Sequence, residues 1–183
     1  FACCVNHSSD DCSRRALDFA SVLVVGSGWA EPLTWSLITA GLRAEHERLE
    51  DLSKSFDAAF LLVVVDGRSF VQANKGRVLR SKKRPLGCSD HGVDRFLIRH
   101  DNRLAHRVCD AVKRCLDDGL GFCVFHPFQS YFWNFPEVSG ILNRTGPLLS
   151  SFWISDGVNF TKWSALHTCD ELTKLLADAP SFH

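Results

Sequence analysis

Ser21-Val22-Leu23-Val24-Val25-Gly26-Ser27-Gly28, followed by Trp29 to Ala40, is the stretch from which the fold can be read. The β-branched run predicts a strand and Gly26-Ser27-Gly28 a tight turn. Leu33, Leu37 and Ala40 then recur at helical spacing, with Gly41 as a stop. A strand that ends in Gly-x-Gly and opens a helix sets backbone N–H groups and the positive helix end beside a cleft, and glycines let a ligand approach the backbone. That is a nucleotide-type binding device. The same turn also serves close strand–helix packing with no ligand at all.

Working outward, Arg43 to Glu47 predicts a short second strand, and Ala58 to Val65 is a continuous apolar strand of the kind buried on both faces of a parallel sheet. The alternation implies βαβ units and an α/β fold with a largely parallel sheet. Gly67 to His91 is polar and basic, so it reads as a long loop. Asn102 to Asp117 restores a helical period through Leu104, Val108, Val112 and Leu116. Gly119 stops it before a strand over Gly121 to Phe125. After Leu148 aromatic and polar residues alternate, and a last helix is expected near Cys169 to Ala179. The expected organisation is an irregular arm over 1–15, one α/β domain over 16–148 and an aromatic-rich extension over 149–183.

Composition bounds what this domain can do. With 183 residues, 45% of them apolar, the chain can bury one sizeable core but not two. Its 21 basic and 21 acidic side chains cancel, so no global field draws it onto nucleic acid or an anionic membrane. The longest apolar run has eight residues, far below the roughly 20 of a membrane-spanning helix, so no membrane insertion is expected. The chain opens at Phe1 and has no methionine, the pattern expected of a processed start. Of eight cysteines, Cys88, Cys109, Cys115, Cys123 and Cys169 are scattered singly through regular segments, and free, mostly buried thiols are expected. Cys3, Cys4, His7 and Cys12 lack the two-residue gap of common zinc knuckles, so no metal is expected. Sequons at Asn6, Asn143 and Asn159 would carry glycans if the protein were secreted and disulfide-bonded.

Five segments follow one another in a telling order: Val22-Leu23-Val24-Val25-Gly26-Ser27-Gly28; Thr39-Ala40-Gly41-Leu42; Leu79-Arg80-Ser81 with Pro85-Leu86-Gly87; Asn102-Arg103-Leu104-Ala105; and Pro127-x-x-Ser130-x-x-Trp133-x-x-Pro136. This order resembles the catalytic domain of the DNA cytosine-5 methyltransferase family, above all its short, divergent members in mobile elements and viruses. The resemblance spans Ser21 to Val138 and implies a Rossmann-like methyltransferase fold. It implies that Gly26 and Gly28 would face S-adenosylmethionine and that Glu45 or Glu47 would bind its ribose. Trp29 either stacks on an adenine or plugs that pocket, and a plug is favoured because indole buries a large apolar area.

The resemblance also says what is missing. In the family, the thiolate of a Pro-Cys attacks C6 of a flipped cytosine and the glutamate of a Glu-Asn-Pro holds N3. Here Val65-Asp66-Gly67-Arg68-Ser69-Phe70 stands where Pro-Pro-Cys-Ser-Thr-Phe is expected, so Gly67 takes the nucleophile's place. Phe125-His126-Pro127 stands for Glu-Asn-Pro, so Phe125 takes the glutamate's. Asp66 and His126 are the ionisable groups left to line the cleft, and neither is a carbon nucleophile. No Asp-Pro-Pro-Tyr-type motif supports transfer to another atom. Only about 45 residues follow Val138, too few for the region that reads a DNA target. Lys75, Arg77, Arg80, Lys82, Lys83 and Arg84 form an acid-free segment that would meet RNA phosphates, sit in solvent, or seat an acidic protein.

The expected function is therefore that of a catalytically inactive methyltransferase-like subunit of a larger assembly, with other protein subunits as partners and no cofactor. An organellar setting is expected, such as a mitochondrial ribosome or respiratory complex in the matrix, with the cytoplasm or nucleus as the alternative. The alternative function is an S-adenosylmethionine-dependent nucleic-acid methyltransferase with a diverged active site.

Overall fold

The computed structural model describes residues 21–26, 30–39, 42–49, 51–52, 58–65, 67–71, 78–88, 92–144, 146–155, 158 and 160–169. In chain order these form β1 (Ser21–Gly26), α1 (Ala30–Thr39), β2 (Arg43–Glu47), β3 (Phe60–Val64), a 3-10 turn (Arg68–Phe70), α2 (Gly92–Asp117) and β4 (Gly121–Pro127). A second 3-10 turn (Tyr131–Asn134), α3 (Pro136–Leu142), β5 (Leu148–Ser155) and β6 (Phe160–His167) complete them. The result is an α/β fold on a six-stranded sheet of order β2-β1-β3-β4-β6-β5.

Strands β2, β1, β3 and β4 run parallel, with Val25 opposite both Glu47 and Val63 and with Val64 opposite Phe125. All five residues of β3 are buried, which is why it carries an unbroken apolar run instead of an alternation. Strand order reverses at β1, because β2 and β3 lie on its opposite sides. In doubly wound sheets such a reversal opens a crevice at the carboxyl ends of the strands.

The period of two along each strand divides the core. Leu23, Val25, Leu61, Val63, Phe122 and Val124 face one cluster, completed by Leu104, Val108, Ala111, Val112 and Cys115 of α2 and by Val138 and Ile141 of α3. Val22, Val24, Phe60, Leu62, Val64 and Cys123 face the other, against Ala30, Leu33 and Leu37 of α1. At the end of α2, the Leu120 N–H bonds the Cys115 carbonyl at 2.7 Å, so the chain turns at Gly119 as expected.

Two expectations change. Helix α2 begins at Gly92, ten residues before the apolar period at Asn102. Its early turns bury Asp94 and Asp101 beside Ile98, so their inward face does not read as apolar. The boundary at residue 148 also falls inside the sheet. Strand β6 pairs antiparallel with β4 from Cys123↔His167 to Pro127↔Trp163, and β5 pairs antiparallel with β6. The alternation after Leu148 is that of two strands, not of an appendage, while the helix expected near Cys169 to Ala179 lies, after Cys169, outside the described residues.

The singly placed cysteines are free, and four of them are buried. Burial, reinforced by Glu137, pushes the Cys109 thiol up to about 12. Burial likewise pushes Cys115 to about 12 and Cys123 well above its ordinary range. A folded-state pKa above the unfolded one means that stability is fully present below pH 9 and is lost as pH rises toward 12. Each such thiol should contribute a slope of roughly 1.4 kcal/mol per pH unit in that window. Urea unfolding of the parent and of Cys115→Ala between pH 8 and 11 should show the variant losing stability less steeply. Parallel pH profiles would contradict this account.

Candidate active site

The carboxyl ends of β1, β2, β3 and β4 lie side by side along one edge of the sheet. Gly26 closes β1 with φ of +146°, and a Cβ there would lie 2.4 Å from the Val64 carbonyl oxygen. Packing against β3 alone therefore requires glycine. The Gly26 carbonyl lies 3.1 Å from His46 Nε2, a contact that no sequence pattern announced. Glu47 sits at the end of β2, opposite Val25 and beside the turn. Glu45, two residues back, is in an exposed ion pair with Arg43 at 3.8 Å. Of the two residues, only Glu47 lies at the carboxyl end of β2. Gly28 and Trp29 lie outside the described residues, as do Asp66, Lys75 and Arg77, and Cys3, Cys4, His7 and Cys12.

At the end of β3, Gly67 is extended, with φ −128° and ψ 94°. A Cβ on Gly67 would stand 2.5 Å from Cδ2 of Phe70. Phe70 cannot give way easily. Its ring is fully buried and meets Phe132, Phe135 and His126 edge-on at 5.6, 6.0 and 6.1 Å, while the Arg80 guanidinium lies 3.9 Å from its centroid. The space a side chain at position 67 would use is filled by an aromatic cluster.

Arg80 is the centre of this region. It is 1% exposed and directs its donors inward, so it is not the surface phosphate contact expected from the sequence. Its Nε and Nη2 donate to Ser69 Oγ at 3.0 and 2.7 Å, Nη1 donates to Asn102 Oδ1 at 2.7 Å and to the Pro85 carbonyl, and Nη2 also reaches the Ile98 carbonyl at 3.3 Å. Five bonds match the five N–H donors of a guanidinium. The Ser69 N–H donates to Asp101 Oδ2 at 2.7 Å, so one serine joins the buried cation to a buried carboxylate. Burial pulls Arg80 down to about 10, while Asp101 and then Cys88 push it back up, and it stays charged at neutral pH. Asn102 Nδ2 donates in turn to the Leu86 carbonyl at 2.9 Å. Leu79-Arg80-Ser81, Pro85-Leu86-Gly87 and Asn102, separate in sequence, thus meet around one side chain. Lys82, Lys83 and Arg84 are exposed, on a turn closed by the Ser81 and Arg84 backbones.

The stretch after β4 is equally structural. His126 is 1% exposed, with Nδ1 2.9 Å from the Val65 carbonyl. That oxygen can only accept, so Nδ1 carries the proton. The ring sits among Phe70, Phe132 and Trp133 inside the core, not on an open cleft wall. Phe125 points to the opposite face and meets Phe152 edge-on at 5.8 Å. Ser130 donates to the Phe70 carbonyl at 3.2 Å and accepts from the Phe132 N–H at 3.1 Å. Trp133 Nε1 donates to the Pro127 carbonyl at 2.9 Å, and Pro136 opens α3. Every named position of Pro127-x-x-Ser130-x-x-Trp133-x-x-Pro136 thus has a role in folding this turn.

No protein-family model, curated protein or solved structure matches this chain. Among the described residues, no three His, Cys, Asp or Glu side chains converge as metal ligands, and no helix is long and apolar enough to cross a membrane.

Two substitutions test this geometry. Gly26→Ala must displace backbone at Val64 and adopt an unfavourable φ, so it should lower unfolding free energy by at least ~2 kcal/mol. Arg80→Ala strands several buried partners and should cost about 3–5 kcal/mol, while Arg80→Lys, which keeps the charge but loses the planar fork, should recover only part of that loss. Urea denaturation measures both. An Arg80→Lys variant as stable as the parent would show that charge alone suffices.

Proposed function

We propose that this chain is a catalytically inactive methyltransferase-like protein that serves as a structural or accessory subunit of a larger assembly. The observation that carries the reading is at Gly67. Attack on C6 of cytosine requires a thiolate at that position in the resembled family. Here the position has no side chain, and the adjacent space is taken up by the Phe70 ring. Phe125 offers a phenyl ring packed on Phe152 where the family uses a carboxylic acid. His126 is committed to the Val65 carbonyl.

The methyltransferase ancestry in this reading is supported by the reversal of strand order at β1, by the glycine that ends β1, and by the way Arg80 gathers the segments that carry the resemblance. The assembly role is supported by exposed aromatic side chains, among them Trp35 of α1, Trp153 of β5 and Phe160 of β6, a type that interfaces favour.

The test is a methyl-transfer assay with labelled S-adenosylmethionine on DNA and RNA. The parent chain should transfer no methyl group, and Gly67→Cys combined with Phe125→Glu should stay inactive because Phe70 occupies the space beside position 67. Transfer by the parent chain would overturn the proposal.

A further inference from the structure

The outward face of α2 carries a feature that the net charge hides. Arg95, Arg99, Arg103 and Arg107 follow one another at intervals of four residues, and all four are exposed. At 1.5 Å per residue they form a row with a cation about every 6 Å, roughly 18 Å long. The acids of the same helical stretch are turned the other way, with Asp94 and Asp101 both buried. Beyond them, Asp110 pairs with Lys113 at 3.7 Å, and Glu137 is held by His106 at 2.9 Å and Lys113 at 3.6 Å. Among the described residues, none of the four arginines forms an ion pair.

Like charges at i and i+4 on a helix repel, so the row weakens α2 unless something outside the chain neutralises it. Two further observations narrow the occupant. Phe96 lies within the row and is 68% exposed, an aromatic ring presented to solvent among cations. The turn bearing Lys82, Lys83 and Arg84 is fastened to α2 by Arg80 at Ile98 and Asn102, each the residue just before an arginine of the row. A strip of cations with an exposed ring in its midst suits a flexible polyanion whose units carry planar faces.

We infer that this face of α2 binds single-stranded nucleic acid, with phosphates along the arginine row and a base stacked on Phe96. The inference rests on charge and exposure alone and stands whether or not the methyltransferase reading holds. It moves the nucleic-acid contact away from Arg80, which is buried.

Fluorescence anisotropy with fluorescein-labelled 20-nucleotide oligouridylate and oligothymidylate tests it. The parent should bind both at 50 mM salt, with the logarithm of affinity falling against that of salt by about 0.7 per phosphate held, so a slope near −3 for four contacts. Changing all four arginines to Gln should remove most of that slope while leaving the thermal midpoint unchanged or raised. Phe96→Ala should weaken binding about ten-fold at an unaltered slope. The inference would be overturned by no binding at 50 mM salt, by a slope that survives the quadruple change, or by full affinity in Phe96→Ala. Tighter binding of a duplex or of polyglutamate would overturn it equally, the first by excluding base stacking and the second by making an acidic protein the better occupant.

Discussion

A single buried guanidinium fixes the region around the carboxyl ends of the central strands. Arg80 ties the turn after β3 to the loop at 78–88 and to α2, and it does so with all five of its donors. Burying a cation is costly unless its hydrogen bonds and a counter-charge come with it. Both are present, and Ser69 supplies the link to Asp101. Because Arg80 also lies over the Phe70 ring, the same residue that anchors the loop holds the aromatic cluster in place.

That cluster bears on the methyltransferase reading proposed above. On that reading, a glycine in a nucleophile's place could leave an open pocket, accessible to substrate and restorable by one substitution. Here Phe70, His126, Phe132, Trp133 and Phe135 are packed in edge-on pairs, and His126 and Ser130 each hydrogen-bond the backbone of the facing segment. Edge-on aromatic pairs stabilise beyond the area they bury. The former reaction space, on the methyltransferase reading, has become core.

Much of the frame was legible because it is local. The apolar run of β3, the β-branched run of β1 and the stop at Gly119 each state their structure within a few residues. What escaped depends on distant partners. Asp94 and Asp101 break the apolar period of α2 because they are buried, and Asp101 meets the backbone of Ser69, 32 residues earlier. Arg80 sits in a run of basic residues and reads as a surface charge, since nothing within the run announces Ser69, Ile98 or Asn102 as its partners. The alternation after Leu148 showed strand-like segments but could not say that the second of them would slot between β4 and the first. The glycine that ends β1 was visible, whereas its reason, the nearness of the Val64 carbonyl, was not.

The position of β6 governs the order in which the sheet can be completed. The strand nearest the carboxyl terminus among those described lies inside the sheet, between β4 and β5, although β5 is synthesised before it. While the chain is being made, β4 therefore carries one unpaired edge until residue 167 has emerged, and β5 has no strand of its own sheet to join. An exposed strand edge invites pairing with other chains. Assembly of this half of the sheet is thus forced into one late step, in which the 148–167 hairpin arrives as a unit and closes the exposed flank.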